Sequence, residues 1–372
     1  MASKKITLVQ NLLALADIKI NGDRPWDIQV HNEAFYNRVL KEGTLGLGES
    51  YMAGWWDVEK LDEFFSHVFQ ADLDKKVKSN WSLMFFIFFN LIFNRQSKNR
   101  AFIIGQRHYD LGNDLYQAML DPRMTYTCGY WRKASNLAEA QEAKLDLVCR
   151  KLNLQPGQSV LDIGGGWGSF AKFAAEKYGV KVTVVTVSAE QIALGQQLCA
   201  GLAVNFILQD YRDIKGKFDH IVSLGMFEHV GLKNYRTFMK IVAECLADDG
   251  LFLLHTIGGS YSVKAGEPWV EKYIFPNAML PSIKQLGQAF EDILVMEDWQ
   301  NFGADYDLTL LAWFANFDNH FPELKGKYDA QFYRLWKYYL LSFAGSFRAR
   351  KNNLWQIVLS KKGRPGGYKS VC

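Results

Sequence analysis

Cysteine is sparse and scattered in this chain: Cys128, Cys149, Cys199, Cys245 and Cys372 contain no C-x-x-C pair and are odd in number. That pattern excludes a disulfide framework and a cysteine-built zinc site, and it points to a reducing compartment, the cytoplasm. The seven histidines show no H-x-x-x-H spacing, so no metal centre is expected. Charge imbalance is missing too. A net charge of +4 over 372 residues gives no footing for bulk nucleic-acid binding. The longest apolar stretch, Trp81 to Phe93, is thirteen residues, short of the roughly 20 that a transmembrane helix needs. Near the start, Lys4 and Lys5 precede an apolar stretch, but Gln10, Asn11 and Asp17 interrupt it. Ile6, Val9, Leu12, Leu13 and Ala16 recur there at helical spacing, so an amphipathic first helix is expected rather than a secretory leader.

Aromatic residues, by contrast, are abundant at 15%, which suits a protein that handles apolar or cationic species, or simply a generous core. The chain is long enough for two domains. Its organising stretch is Val160 to Gly168, V-L-D-I-G-G-G-W-G. A short apolar run ending in Asp162, then Gly164, Gly165, Gly166 and Gly168, reads as a buried parallel strand, a tight turn and a helix starting near Ser169. Residues without a Cβ let a ligand lie against the main chain there. The order D-x-G-x-G-x-G differs from the G-x-G-x-x-G of nicotinamide and flavin sites. It resembles class I S-adenosylmethionine-dependent methyltransferases.

Further apolar runs beginning at Val180, Val204, Phe218 and Gly250 alternate with helical patterns, one of them at about 137 to 152 ahead of the glycine strand. The expected fold is therefore α/β, a Rossmann-like doubly wound parallel sheet, with a smaller N-terminal α+β domain before it. Ligands gather at the carboxyl ends of such strands. Those ends offer the glycines, then Thr186, Ser188 and Gln191, then Gln209, Asp210 and Tyr211, then Met226 to His229, and last His255 to Gly258. An acid for the ribose hydroxyls is absent after the second strand, which leaves Ser188 and Gln191 for that role. Asp210 is placed to accept from an adenine amino group.

Two other segments stand out. Gly43 to Trp56, with paired Trp55 and Trp56, either packs internally or meets a partner. From Lys75 to Arg107 there are seven basic residues and no acidic one, enclosing the apolar thirteen. Such a segment suits the headgroup layer of an anionic membrane, and equally a buried interdomain helix with a solvated basic linker. The final K-K-G-R-P-G-G-Y-K-S-V-C reads as disordered or loosely held.

The ordered set H-Y-D-L-G-N-D, Y-T-C-G-Y-W, D-I-G-x-G-W-G, T-V-S-A-E-Q, L-Q-D-Y-R-D, M-F-E-H-V-G, L-L-H-T-I-G, Y-I-F-P-N and F-G-A-D-Y-D resembles the bacterial cyclopropane-fatty-acyl-phospholipid synthases over nearly the full length. Departures are Gly165, where the family commonly has Cys, and Thr127, where Ser also occurs. The resemblance implies methylene transfer from S-adenosylmethionine to a cis double bond of an acyl chain in a membrane phospholipid, closing a cyclopropane ring. It implies a bicarbonate ion as base, held by Cys128, Glu228, His255, the Ile257 main chain and Tyr306. Cofactor contacts implied in the same way are Tyr126, Thr127, Asp162, Gly164, Gly165, Gly166, Gly168, Thr186, Ser188, Gln191, Gln209 and Asp210. Trp269, Tyr273, Phe275 and Pro276 are expected to wall the acyl chain. On this resemblance the chain divides into a lipid-associated domain (1–75), a basic aromatic-rich linker (76–107) and a catalytic domain (108–372). A homodimer on the inner face of the membrane, peripherally bound, is expected. Methyl-branched products, amine methylation and a lipid-binding protein without catalysis are the competing readings.

Overall fold

The structure, a computed structural model, describes residues 2–72 and 112–372; the basic aromatic-rich linker lies outside the described residues. Those residues form two compact units. One takes the residues up to 72 together with Lys264–Pro276 and Tyr306–Asn352, and the other takes Gly112 to Val263, Asn277–Asp305 and Asn353–Cys372. The expected catalytic stretch from residue 108 is thus shared between units, because two of its segments pack with the N-terminal residues.

The first unit is built on aromatic packing between helices. Ala2–Ala14 is the expected amphipathic helix, with Val9 and Leu13 buried. A two-stranded ribbon follows, strand β1 (Gln29–Val30) pairing antiparallel with β2 (Trp56–Asp57). Between them the helix Ala34–Met52, kinked at Gly43 where φ is 58°, takes in the first part of the glycine-rich segment. Gly48 is required there because Trp269 lies where a Cβ would go. Trp56 is fully buried and donates Nε1 to Leu47 O and Ser50 Oγ, both at 3.1 Å. This segment therefore packs internally. Helix Leu61–Gln70 lies against helix Ala330–Arg348, whose Gly345 brings the backbones together at Asp62 and Phe65. Tyr338 meets Phe65 edge-on at 5.2 Å and Trp269 at 4.5 Å. Each such ring adds roughly 1.5–3 kcal/mol by burial.

The second unit carries a seven-stranded sheet in the order β5-β4-β3-β6-β7-β9-β8. Its strands are β3 (Ser159–Ile163), β4 (Lys181–Thr186), β5 (Val204–Leu208), β6 (Phe218–Leu224), β7 (Leu246–Gly259), β8 (Val295–Asn301) and β9 (Asn352–Ser360). The five from β3 to β7 pair in parallel, as read from the sequence, and β8 closes one edge antiparallel to β9. Strand alternation divides the core in two. Leu161, Ile163, Ile221, Phe252, Leu254, Ile357 and Leu359 face a layer containing helices Tyr235–Cys245 and Ile283–Phe290. Val160, Val222, Leu251, Leu253 and Val358 face helices Leu137–Lys151 and Ser169–Tyr178. Asp162 lies two residues from Val160, so it shares this second face.

The C-terminal tail departs from expectation. Arg364 N donates to Glu297 Oε1 (2.8 Å), Tyr368 OH to Lys151 O (2.9 Å) and Ser370 Oγ to Asp298 Oδ1 (2.7 Å). Three hydrogen bonds from polar tail residues anchor what composition alone suggests is loose.

Candidate active site

The site is assembled at the carboxyl ends of the parallel strands. β3 runs into its turn through Gly164 at φ 79°, where a Cβ would meet the Met226 side chain at 2.5 Å. Gly168, at φ 82°, caps helix Ser169–Tyr178, and a Cβ there would meet Phe206 at 2.7 Å. Both left-handed dihedrals and close neighbours require glycine. Beneath Gly165 lies the Asp162 carboxylate, 1% exposed, and neither of its oxygens has a hydrogen-bond partner. Burial pushes it up to about 7, while the Lys144 ammonium acts in the opposite sense.

The other strand ends converge on this turn. Thr186 Oγ1 donates to Gln191 Oε1 (2.8 Å), and Ser188 Oγ accepts from Gln191 N (3.3 Å) to cap helix Ala189–Leu198. Gln191 Nε2 lies 3.9 Å from a Cβ built on Gly166, so this hydroxyl and amide set borders the turn. Gln209 extends β5 by donating its N–H to Thr186 O at 3.0 Å. Asp210 is clasped by Arg212, whose Nε (2.7 Å) and backbone N–H (2.9 Å) both donate to Oδ1 and whose Nη2 donates to Oδ2 (2.8 Å), so Oδ2 keeps a lone pair open to a further donor. Tyr126 stacks edge-on against Tyr116 (5.2 Å), which in turn touches Trp167 of the glycine turn (4.9 Å).

A second cluster centres on β6 and β7. Glu228, in the turn Phe227–His229, accepts the Ile257 N–H on Oε1 at 2.6 Å, and its buried Oε2 has no partner. Burial raises its carboxyl to about 7. His255, 1% exposed, receives the Gln356 amide on Nδ1 at 3.3 Å, which places the ring proton on Nε2. That Nε2 is buried and has no hydrogen-bond partner. Burial, with Lys144 and Lys151, lowers its basicity well below the ordinary value, so the ring is neutral. The strands are tied by Gly225 N donating to His255 O at 2.9 Å. Thr127 Cγ2 sits 2.8 Å from where a Gly225 Cβ would stand, which brings the Tyr126–Cys128 segment over the same strand end. Cys128 is fully buried, with its thiol donating to Gly129 O at 3.1 Å.

Four of the five residues expected from the resemblance to hold a base, Cys128, Glu228, His255 and Ile257, are therefore in the second unit, reached from three segments. Tyr306 belongs to the first unit, where it packs on Phe347 (4.6 Å) and Trp313 (5.9 Å). Trp269, Tyr273 and Phe275 belong there too; the Tyr273 hydroxyl donates to Glu49 Oε1 at 2.8 Å, and Phe275 packs on Tyr339 at 5.7 Å.

The donors and acceptors of these residues match the two groups that the resemblance implies. A glycine-walled turn over a partnerless carboxylate fits a ligand that carries ammonium and hydroxyl donors. A partnerless imidazole N–H beside a carboxyl poised between its two forms fits a small oxyanion that bears a proton. Among the described residues there is no histidine, cysteine and carboxylate group that could hold a metal.

Two residues of the site escape a reading of motifs. Lys144 is fully buried and donates to Thr127 Oγ1 at 2.7 Å, and Gln141 donates to Thr127 O at the same distance. Their signal is present in the sequence: Lys144 falls four residues from both Ala140 and Val148, on the apolar stripe of its helix, where a lysine is out of pattern.

A D-x-G-x-G-x-G turn at the carboxyl end of an inner parallel strand of such a sheet is that of a class I S-adenosylmethionine-dependent methyltransferase. Residues 96–357 match the family model of mycolic acid cyclopropane synthetase, and the chain belongs to that family. It is 52% identical over 354 residues, 95% of this chain and 93% of the relative, to the cyclopropane-fatty-acyl-phospholipid synthase of Escherichia coli strain K12. It is 34% identical, over 69% of this chain and 92% of the relative, to cyclopropane mycolic acid synthase 2 of Mycobacterium leprae. Among solved structures, a mycolic acid cyclopropane synthase complexed with SAH and CTAB matches 70% of this chain and 98% of its own, with a TM-score of 0.65 and 33% identity.

Proposed function

We propose that the enzyme adds a methylene unit across a cis double bond in an acyl chain of a membrane phospholipid, forming a cyclopropane, with bicarbonate as the base. The observation that carries this reading is the pair of partnerless buried atoms, Glu228 Oε2 and His255 Nε2, beside a turn suited to the cofactor. The 52% identity over 95% of the chain to a relative named for this reaction supports the substrate class.

S-adenosylmethionine, when bound, supplies the one-carbon unit as a sulfonium methyl group. Asp162 and the Gly164–Gly168 turn would hold it, with Thr186, Ser188, Gln191, Gln209 and Asp210 along the nucleoside side and Tyr126 and Thr127 over the methyl end. An alkene that accepts a methyl becomes a cation, which needs a dry pocket free of strong nucleophiles. The buried site meets that need: the Cys128 thiol donates to its neighbour's carbonyl, and His255 is neutral. Such a cation is itself a strong acid, so a weak, well-placed base removes its proton. Bicarbonate would be that base. His255 Nε2–H can donate to it, and Glu228, near its midpoint at neutrality, can share a proton with it. The Ile257 amide fixes Glu228, and Tyr306 joins the set on the family resemblance alone.

Membrane attachment through the basic segment 75–107 and a homodimer belong to the same proposal. The test is incubation of the purified protein with S-adenosylmethionine and vesicles of a cis-monounsaturated anionic phospholipid, with and without bicarbonate. A gain of one CH₂ per chain, loss of olefinic proton signals and new cyclopropyl signals are expected, all weakened without bicarbonate. Gain of mass with the olefinic protons retained would point to methyl branching instead.

A further inference from the structure

Lys144 has no part in the reaction described above, yet it is a lysine with no exposed surface at the centre of the site. It extends from helix Leu137–Lys151 on the sheet face that also carries Asp162. We propose that Lys144 is a positioning residue of the cofactor site: its ammonium fixes Thr127 by a direct hydrogen bond and serves as the buried counter-charge of Asp162 beneath the glycine turn.

The positioning half rests on geometry. The segment 125–130 crosses this helix and is held by it at successive points. Gln141 Nε2 donates to Thr127 O (2.7 Å), Lys144 Nζ donates to Thr127 Oγ1 (2.7 Å), and Tyr130 N donates to Ala140 O (2.8 Å). With its hydroxyl drawn to Lys144, Thr127 turns its methyl toward Gly225, which precedes the Glu228 turn. The lysine thus sets the side-chain orientation of the residue between Tyr126 and Cys128. An apolar side chain of equal length would serve for packing but not for this orientation.

The charge half rests on the unpartnered carboxylate. Both Asp162 oxygens lack hydrogen bonds, and among the described residues Lys144 is the charged group that acts on them. The other titratable groups facing Lys144 are Asp121 and Cys128 from the segment ahead of the helix, with His255 across from it on β7. Asp121 is already engaged, accepting from Thr125 N at 2.8 Å and Arg123 N at 3.0 Å. Burial brings Lys144 down to about 8 and Asp162 up to about 7, so near neutrality the pair holds each other charged. An ionised Asp162 is the form that attracts a ligand ammonium, so affinity for the cofactor rises with pH through the Asp162 transition. Without the lysine, that transition moves to higher pH.

This inference rests on the glycine turn being the cofactor site, and binding of S-adenosylhomocysteine to the unaltered protein checks that premise separately. Calorimetric titrations with S-adenosylhomocysteine from pH 6 to 9 would compare the unaltered protein with Lys144→Gln, which keeps a donor but loses the charge. The expected result is an acid limb displaced upward by a unit or more, at least tenfold weaker binding at pH 7, and recovery toward the unaltered affinity at pH 9. Thr127→Val keeps the ammonium and loses the hydrogen bond; it should leave the pH midpoint of binding in place and lower kcat tenfold or more in protein that still melts cooperatively. Binding by the unaltered protein that is flat across this pH range overturns the proposal. So does an affinity loss in Lys144→Gln that is the same at every pH, which is what a packing role alone produces. If Lys144→Gln fails to fold, Thr127→Val decides: an unaltered kcat overturns the positioning role, and a reduced one supports it.

Discussion

With Oε1 tied to the Ile257 amide and Oε2 lacking a partner, Glu228 is a carboxyl group that the fold removes from water and holds at about 7, above its ordinary value of 4.5. The sign of its effect on stability follows. A carboxyl raised on folding favours its protonated form in the native state, so it costs nothing at pH 4.5 and below. As pH rises from there through about 7, the fold bears an increasing penalty, which then stays constant at roughly 3 kcal/mol. Glu228→Gln keeps an oxygen for the Ile257 N–H and cannot ionise. It should therefore raise stability in denaturant titrations at pH 8 by roughly 1–3 kcal/mol and leave it unchanged near pH 4.5. Cyclopropane formation should fall at least a hundredfold in the same variant while S-adenosylhomocysteine still binds. A variant no more stable at pH 8 than the parent would mean that water reaches this carboxyl.

At the scale of elements, the strands β3 to β7 were legible because each is a short apolar run between helical patterns, and the glycine order at Asp162 to Gly168 named the cofactor class. β8 and β9 were not. V-M-E-D-W-Q-N carries exposed Val295 and Met296 and half-buried polar residues, and L-W-Q-I-V-L-S follows a long helical stretch, so neither shows strand periodicity against its surroundings. Their role is nonetheless specific. Trp355 of β9 occupies the space where a Cβ on Gly258 of β7 would stand, and Gln356 beside it orients His255. The two inner strands approach closely only because residue 258 has no side chain. Gly258→Ala should cost roughly 1–3 kcal/mol as overpacking. Because Gln356 would shift with its strand, kcat should also fall. Denaturant unfolding and steady-state turnover on one preparation check this, and an unchanged stability would show that Trp355 has room to move. The site itself was only half legible. Motifs supplied the strand ends, but Lys144, Gln141 and Gln356 lie on a helix and an edge-side strand whose approach depends on tertiary packing.

At the scale of the whole molecule, the chain enters the first compact unit three times, through its N-terminal residues, Lys264–Pro276 and Tyr306–Asn352. No local composition change marks these returns, so they are not legible in the sequence. The helix Ala330–Arg348 buries Tyr338, Leu341 and Phe347 and fits Gly345 against Asp62 and Phe65 of helix Leu61–Gln70. Removal of residues 1–72 should therefore leave an apolar face uncovered, with dye binding by exposed hydrophobic surface and loss of cooperative unfolding. Clean two-state melting of the truncated chain would show that the later segments have a core without the N-terminal helices. Surface charge sets the last expectation, which belongs to the proposed attachment to an anionic membrane; no helix among the described residues is long and apolar enough to cross one. The sequence from Lys75 to Arg107 has seven basic residues and no acidic one, and each cation near an anionic surface would contribute about 1 kcal/mol. Sedimentation with anionic vesicles should accordingly weaken steeply between 50 mM and 500 mM salt, as the screening length falls. Replacing Lys75, Lys76 and Lys78 by Gln should weaken it at low salt by tenfold or more, with turnover of detergent-dispersed lipid retained. Partition that is indifferent to both changes would assign membrane contact to apolar insertion alone.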